Sequence, residues 1–259
     1  MIPTIKTVAL VGALVLLVVL VVLPWILFKK KGLIKPWLAG SMVIIVRDLV
    51  IFGPLMSGWM SGNPQVELFF NETVGGVLIY SLLLVLAHLV IRALILKGIL
   101  KRPEDAHQDE ELWTMGVGQA ALAGIFGIGI LFLQNILIIQ SINNQSIYDM
   151  GLDLVEVNTL IQHLQSLSVL SILSSAFSVV FMAVVFAGST WILGQALRLK
   201  RWLLIAVSIL LELLYYGTIR LAYLNGLSEV WVFILQLVVA IFTLVYIQNI
   251  YRRRNHERF

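Results

Sequence analysis

Seven long apolar runs constrain this chain more than any other feature of its sequence. They lie at about residues 6–28, 37–60, 73–97, 113–141, 167–197, 201–222 and 227–250. A membrane helix needs about 20 mostly apolar residues, so each run is long enough to cross a bilayer. The expected fold is all-α: a polytopic membrane helical bundle of seven transmembrane helices in one domain, 1–259. Composition agrees, with 60% hydrophobic and 12% charged residues, against about 45–50% and about 25% in soluble domains. A soluble enzyme with a membrane tail is excluded, because no polar stretch is long enough for a second domain. A disordered chain would be poor in apolar residues. An outer-membrane barrel would alternate in polarity, which these runs do not. There is no cysteine, hence no disulfide, thiolate ligand or thiol nucleophile. The first run does not read as a cleaved signal: it is too long, no small-residue cleavage site follows, and Lys29, Lys30 and Lys31 close it. The run at 167–197 is long for one crossing and is expected to tilt or to begin as an exposed turn.

The basic residues predict orientation. Lys29, Lys30, Lys31 and Lys35 share one side with Lys97, Lys101 and Arg102, with Arg198, Lys200 and Arg201, and with Arg252, Arg253, Arg254 and Arg258. That side holds 14 of the 18 basic residues, and the other has Lys6 and Arg220. The positive-inside rule then predicts an outside N-terminus and a cytoplasmic C-terminus, in the cell membrane. The net charge of +4 reflects these anchors beside anionic headgroups. Arg252–Arg254 reads the same way, and no nucleic-acid partner is expected.

Few segments lie outside the spans. Residues 101–112 read as a loop with a turn at Pro103 and acids, Asp109 to Glu111, near the start of the fourth span. In 142–166, Leu152, Val155, Leu160, Ile161 and Leu164 recur at near-helical spacing among Asp149, Asp153, Glu156 and Gln162. This predicts a short amphipathic helix on the outer membrane surface. Asn71-Glu72-Thr73 and Asn144-Gln145-Ser146 match the glycosylation pattern, but a three-residue pattern arises readily by chance. No internal repeat of the transporter kind is present.

Charges inside the spans are costly and each calls for a reason. Arg47 and Asp48 fall in the second span. Neighbours on an α-helix diverge by about 100°, so each is expected to clamp to another helix rather than to its neighbour. His88 and Arg92 sit four apart on one face of the third span; Arg92 is close enough to the helix end to snorkel. Gln119 lies early in the fourth span, and Glu212 is central in the sixth, with Tyr216 and Arg220 one and two turns later. A carboxylate at that depth needs a partner, and His88, Arg47 and Arg92 are the candidates. A metal site wants three or four converging ligands, which these residues do not supply, and no hydrolase or P-loop motif is present. Gly116, Ala120 and Gly124 form a small-residue row suited to close helix packing, within the chain or in a dimer.

The stretch from Thr114 to Ile125, Thr-Met-Gly-Val-Gly-Gln-Ala-Ala-Leu-Ala-Gly-Ile, resembles the Gly-x-Gly-His-Gly-Gly-x-Glu-Ala-Ile signature of the YhfC family. These are bacterial membrane proteins regarded as intramembrane peptidases, distantly similar to CAAX- and bacteriocin-processing proteases. The resemblance extends over most of the chain. It includes the basic loop from Lys29 to Pro36, a third span ending in a basic stretch, Ile142-Asn143-Asn144 after the fourth span, and the turn with Arg198, Lys200 and Arg201. It implies the fold of that family but not its activity. The family's paired glutamates fall on Ala87 and His88, with Arg92 the surviving arginine, one place late. The motif histidine falls on Gln119 and the following glutamate on Ala123. The Glu-Arg pair of the fifth span falls near Ser178 and Val179, and the sixth-span histidine on Glu212. A carboxylate-activated or metal-bound water needs the replaced groups. The expectation is therefore a catalytically inactive relative, a binding or scaffolding subunit for a membrane partner or a lipid, with no metal or cofactor. The alternatives are an active intramembrane peptidase with an altered site of His88, Gln119 and Glu212, or a small transporter or permease subunit with Arg47, Asp48 and Glu212 along its path.

Overall fold

The computed structural model describes residues 2–100, 106–150 and 153–256, and among these residues it contains helices and no strands. Lys101, Arg102, Pro103, Leu152 and Arg258 lie outside the described residues. Among the described residues seven helices are long and apolar enough to cross a membrane, and the chain is a multi-pass membrane protein.

The first span is α1 (Thr4–Lys30). The second is α2 (Ile34–Ile45), a π-helical turn (Val46–Ile51) and α3 (Phe52–Met60). The π turn has a local cause in Gly53-Pro54: proline brings no N–H to the ladder and its ring displaces the carbonyls before it. The Phe52 N–H accordingly reaches back five residues, to Arg47 O. A short helix absent from the sequence reading follows, α4 (Pro64–Glu72). Asn63 caps it by accepting from the Gln65 N–H, and Pro64 opens it. It folds tightly back on α5 (Val74–Ile99): a Cβ at Gly76 would stand 1.8 Å from Phe69 O.

The fourth span is α6 (Ala106–Gly124), a second π turn (Ile125–Gly129) and α7 (Ile130–Asn143). It starts earlier than the hydropathy suggests. Asp109, Glu110 and Glu111, expected in a loop, already belong to α6, where Asp109 in the first turn suits the positive end of the helix dipole. The amphipathic segment forms α8 (Leu154–Ser166), opened by an Asp153–Glu156 capping box. Val157 and Leu164 are buried against α1, α7 and the next span, whereas Leu154 and Val155 stay exposed. Lys6 donates from Nζ to Leu164 O at 3.0 Å and to Gln165 O, so that a cation closes the C-terminus of α8.

The last three spans are α9 (Val169–Leu199), α10 (Trp202–Leu224) and α11 (Glu229–His256). The 31-residue α9 is one continuous helix opened by Ser168 as cap, not an exposed turn. Every residue from Val185 to Ala196 is buried, because α9 is central and packs against α1, α6, α10 and α11.

Small residues let α6 fit between α2 and α9. A Cβ at Gly116 would lie 2.3 Å from Ala187 Cα. One at Gly118 would lie 2.1 Å from Trp37 O, and one at Gly40 1.9 Å from Met115 O. The row of Gly116, Ala120 and Gly124 therefore serves packing within the chain. Gly116 abuts Ala187, Ala120 is fully buried, and Gly124 abuts Val179.

Candidate functional site

Three helices bring one closed polar centre together. His88 and Arg92 stand one turn apart on α5, Ser189 sits mid-way along α9, and Glu212 is central in α10. His88, Arg92 and Ser189 are 0% exposed and Glu212 is 1% exposed. His88 Nδ1 lies 2.8 Å from Glu212 Oε2. Arg92 donates to Glu212 Oε1 and to Ser189 Oγ, the latter at 2.7 Å, and Ser189 in turn donates to Glu212 Oε1. An ionised carboxylate only accepts, so we assign the proton of His88 to Nδ1, toward Glu212. Arg92 NH2 also comes within 2.9 Å of that nitrogen, but as a donor its partner is the carboxylate. Ser208 donates to Ser189 O at 3.0 Å and so fastens α10 to α9 beside the centre. The opposite formal charges of Arg92 and Glu212 cancel, and three donors converge on the carboxylate. Within this arrangement both carboxylate oxygens of Glu212 accept from protein donors, and the residue is 1% exposed.

Arg92 is thus not a snorkelling residue. Proximity to the helix end would carry it to the surface if α5 stood alone, but α9 and α10 cover that face and Glu212 supplies the counter-charge.

Arg47 and Asp48 form a second cluster, and they do pair with each other. Arg47 Nε lies 2.6 Å from Asp48 Oδ1 and its NH2 lies 2.8 Å from Oδ2, a two-pronged bond. The expected divergence assumed α-helical geometry, whereas both residues lie in the π turn, which widens the backbone and turns successive side chains by less. Arg47 also donates to Tyr216 Oη at 2.9 Å, which joins the second span to α10. The Phe186 ring touches both clusters, with centroids 5.1 Å from His88 and 5.9 Å from Tyr216.

Gln119 stands apart from both. Its Nε2 is 3.4 Å from Thr190 Oγ1, and its Oε1 is buried without a partner. An altered peptidase site of His88, Gln119 and Glu212 is therefore not assembled by direct bonds. Four more positions singled out by the expected resemblance lie outside the centre. Ala87 packs against the cluster that contains Phe52 and Phe70, and Ala123 against the one that contains Ile44 and Tyr215. Ser178 donates to Ser175 O, while Val179 fills the space beside Gly124. Among the described residues, no three His, Asp or Glu side chains gather closely enough to hold a metal ion.

Ser189 and the Tyr216 hydroxyl were not foreseen as members of these clusters. The signal for Ser189 is the run Gly188-Ser189-Thr190, small and polar in the middle of an apolar span. A third network, also unforeseen, ties the basic end. Gln195 donates to Asp109 Oδ1 at 3.0 Å, Arg198 bonds Gln108, and Gln108 reaches Ile99 O at 3.1 Å.

No family model matches this chain, and no curated protein and no solved structure matches it.

Proposed function

We propose that this chain is a catalytically inactive, YhfC-like protein of the cell membrane that binds or scaffolds a membrane partner. Its N-terminus is outside, as the basic residues argue. The observation that carries this reading is the closure of the polar centre. Glu212 accepts from Arg92, His88 and Ser189, and none of the four is exposed by more than 1%. A peptidase needs a base with access to water and to a peptide carbonyl. A transporter needs polar groups along one open path, whereas Arg47 and Glu212 belong to two compact clusters. Buried polar contacts also hold membrane helices together without chemistry.

The test compares membranes from cells carrying the wild-type chain with membranes carrying Glu212→Gln. Peptide termini in the two membrane proteomes are expected to be the same. A cleavage product present with the wild type and missing with Glu212→Gln would replace this reading with the altered-site peptidase.

A further inference from the structure

The π turn at Ile125–Gly129 redirects the fourth span. Before it, α6 packs along α9; after it, α7 leans on α1. The gap left between α7, α9, α10 and α11 is a cavity of about 330 Å³. That is the size of a small ligand pocket, about 300–1,000 Å³. π turns of this kind recur at functional sites. Here the turn contributes Gly127 to the wall, where a Cβ would meet nothing within 4 Å.

The wall mixes apolar side chains with polar ones, among them Gln236 and Ser175. Gln236 of α11 is 7% exposed, and among the described residues its amide has no hydrogen-bond partner. The Ser175 hydroxyl on α9, in the same wall, is also without one. Both lie about 10 Å below the start of their helices at 1.5 Å per residue, the depth at which a bilayer passes from headgroups to acyl chains. An amide without a partner is costly in apolar surroundings, and the polar atoms of Gln236 are not sealed inside the protein, so the partner is to be sought in the cavity. Deeper, the wall continues to Met182 on α9 and Leu131 on α7. Among the described residues of the lining, Glu229, at the mouth beside Tyr223, is the only charged one, and it disfavours an anionic headgroup.

The geometry points to a lateral binding site for an uncharged glycerolipid, its hydroxyl or ester group on Gln236 and Ser175 and its chain among Leu131, Phe132 and Met182. This rests on the binding role proposed above and names the ligand class. It involves none of His88, Arg92, Ser189 or Glu212, so the cleavage comparison and the lipid experiment can fail separately.

The experiment uses a monoacylglycerol with a photoactivatable diazirine in its chain, added to the purified full-length protein in detergent. Adducts are expected on the α7 and α9 peptides. Excess unlabelled monoacylglycerol should suppress them, and excess phosphatidylglycerol should not. Gln236→Leu should lower labelling about fivefold, the effect of one net hydrogen bond. Ser175→Phe, which fills the cavity from a half-buried position, should abolish it. Gel filtration shows whether each variant is folded, and either folded variant suffices. Labelling unchanged in both variants, absent from these peptides in the wild type, or suppressed equally by phosphatidylglycerol would overturn the assignment.

Discussion

Glu212 on α10 meets His88 on α5 across 124 residues of sequence, Oε2 to Nδ1 at 2.8 Å, with both side chains buried. Arg92 closes the same carboxylate from one turn further along α5. The centre thus crosslinks α5 to α10, and Ser189 includes α9 in it. A lone charge at this depth would cost several kcal/mol, but a matched set leaves no uncompensated charge.

Replacing the whole centre should cost far less than breaking it. Apolar groups of similar volume often substitute for a buried ion pair without loss of stability. The triple variant His88→Leu, Arg92→Met, Glu212→Leu should melt within about 1 kcal/mol of wild type or above it. Ser189 keeps an acceptor in Phe186 O, 3.4 Å away. Thermal unfolding in detergent provides the comparison. A triple variant as weak as Arg92→Met alone would show that the centre contributes more than charge compensation.

The glycines of α6 should separate by what their missing Cβ would meet. Gly116→Ala puts a methyl 2.3 Å from Ala187 Cα, against backbone that cannot yield without shifting α9. The expected loss is about 1–3 kcal/mol, as for overpacking. Gly12→Ala on α1 meets nothing within 4 Å, so it should be neutral or gain about 0.5–1 kcal/mol from helix propensity. Equal melting temperatures for the two variants would refute close packing of α6 on α9.

Tyr216→Phe removes the acceptor of Arg47 while keeping the ring against Phe186. A hydrogen bond to a charged group contributes about 1.5–3 kcal/mol, and that loss is expected. Asp48→Asn should cost less, since the Asp48 side chain is 34% exposed and water can replace its partner. The two melting temperatures check the order, and a larger loss for Asp48→Asn would reverse it.

Orientation can be read by labelling cysteines introduced into this cysteine-free chain with a membrane-impermeant reagent in whole cells. Val155→Cys, at a position 73% exposed on α8, should label. His107→Cys, at the opposite end of the fourth span, should not label until the cells are opened. The reverse pattern would invert the orientation argued from the 14 basic residues.

The seven spans were legible because hydropathy over about 20 residues depends little on tertiary context. Most of the observed helices end about two residues past the read boundaries, as with Thr4–Lys30 for 6–28 and Val169–Leu199 for 167–197. The pairing of Glu212 with His88 was legible too, because a mid-span carboxylate has few candidate partners. What escaped depends on backbone detail or on neighbours. The Arg47–Asp48 bond needs the π turn that Gly53-Pro54 induces. Arg92 looks like a snorkelling residue on an isolated helix and becomes central only when α9 and α10 cover it. α4 is too short for a span signal, although Asn63-Pro64 carries the start signal of a helix. The cavity beside Gln236 arises from a change of helix direction, which hydropathy does not report.

The thermal unfolding of Glu212→Ala tests the structural role of the polar centre most directly. The substitution leaves Arg92, 0% exposed, without its counter-charge and His88 without its acceptor. Destabilisation of about 3–5 kcal/mol, typical of a buried pair broken on one side, is predicted. Glu212→Gln should fall between, because its amide still accepts from Arg92 and Ser189. A Glu212→Ala protein that melts with the wild type would contradict the account.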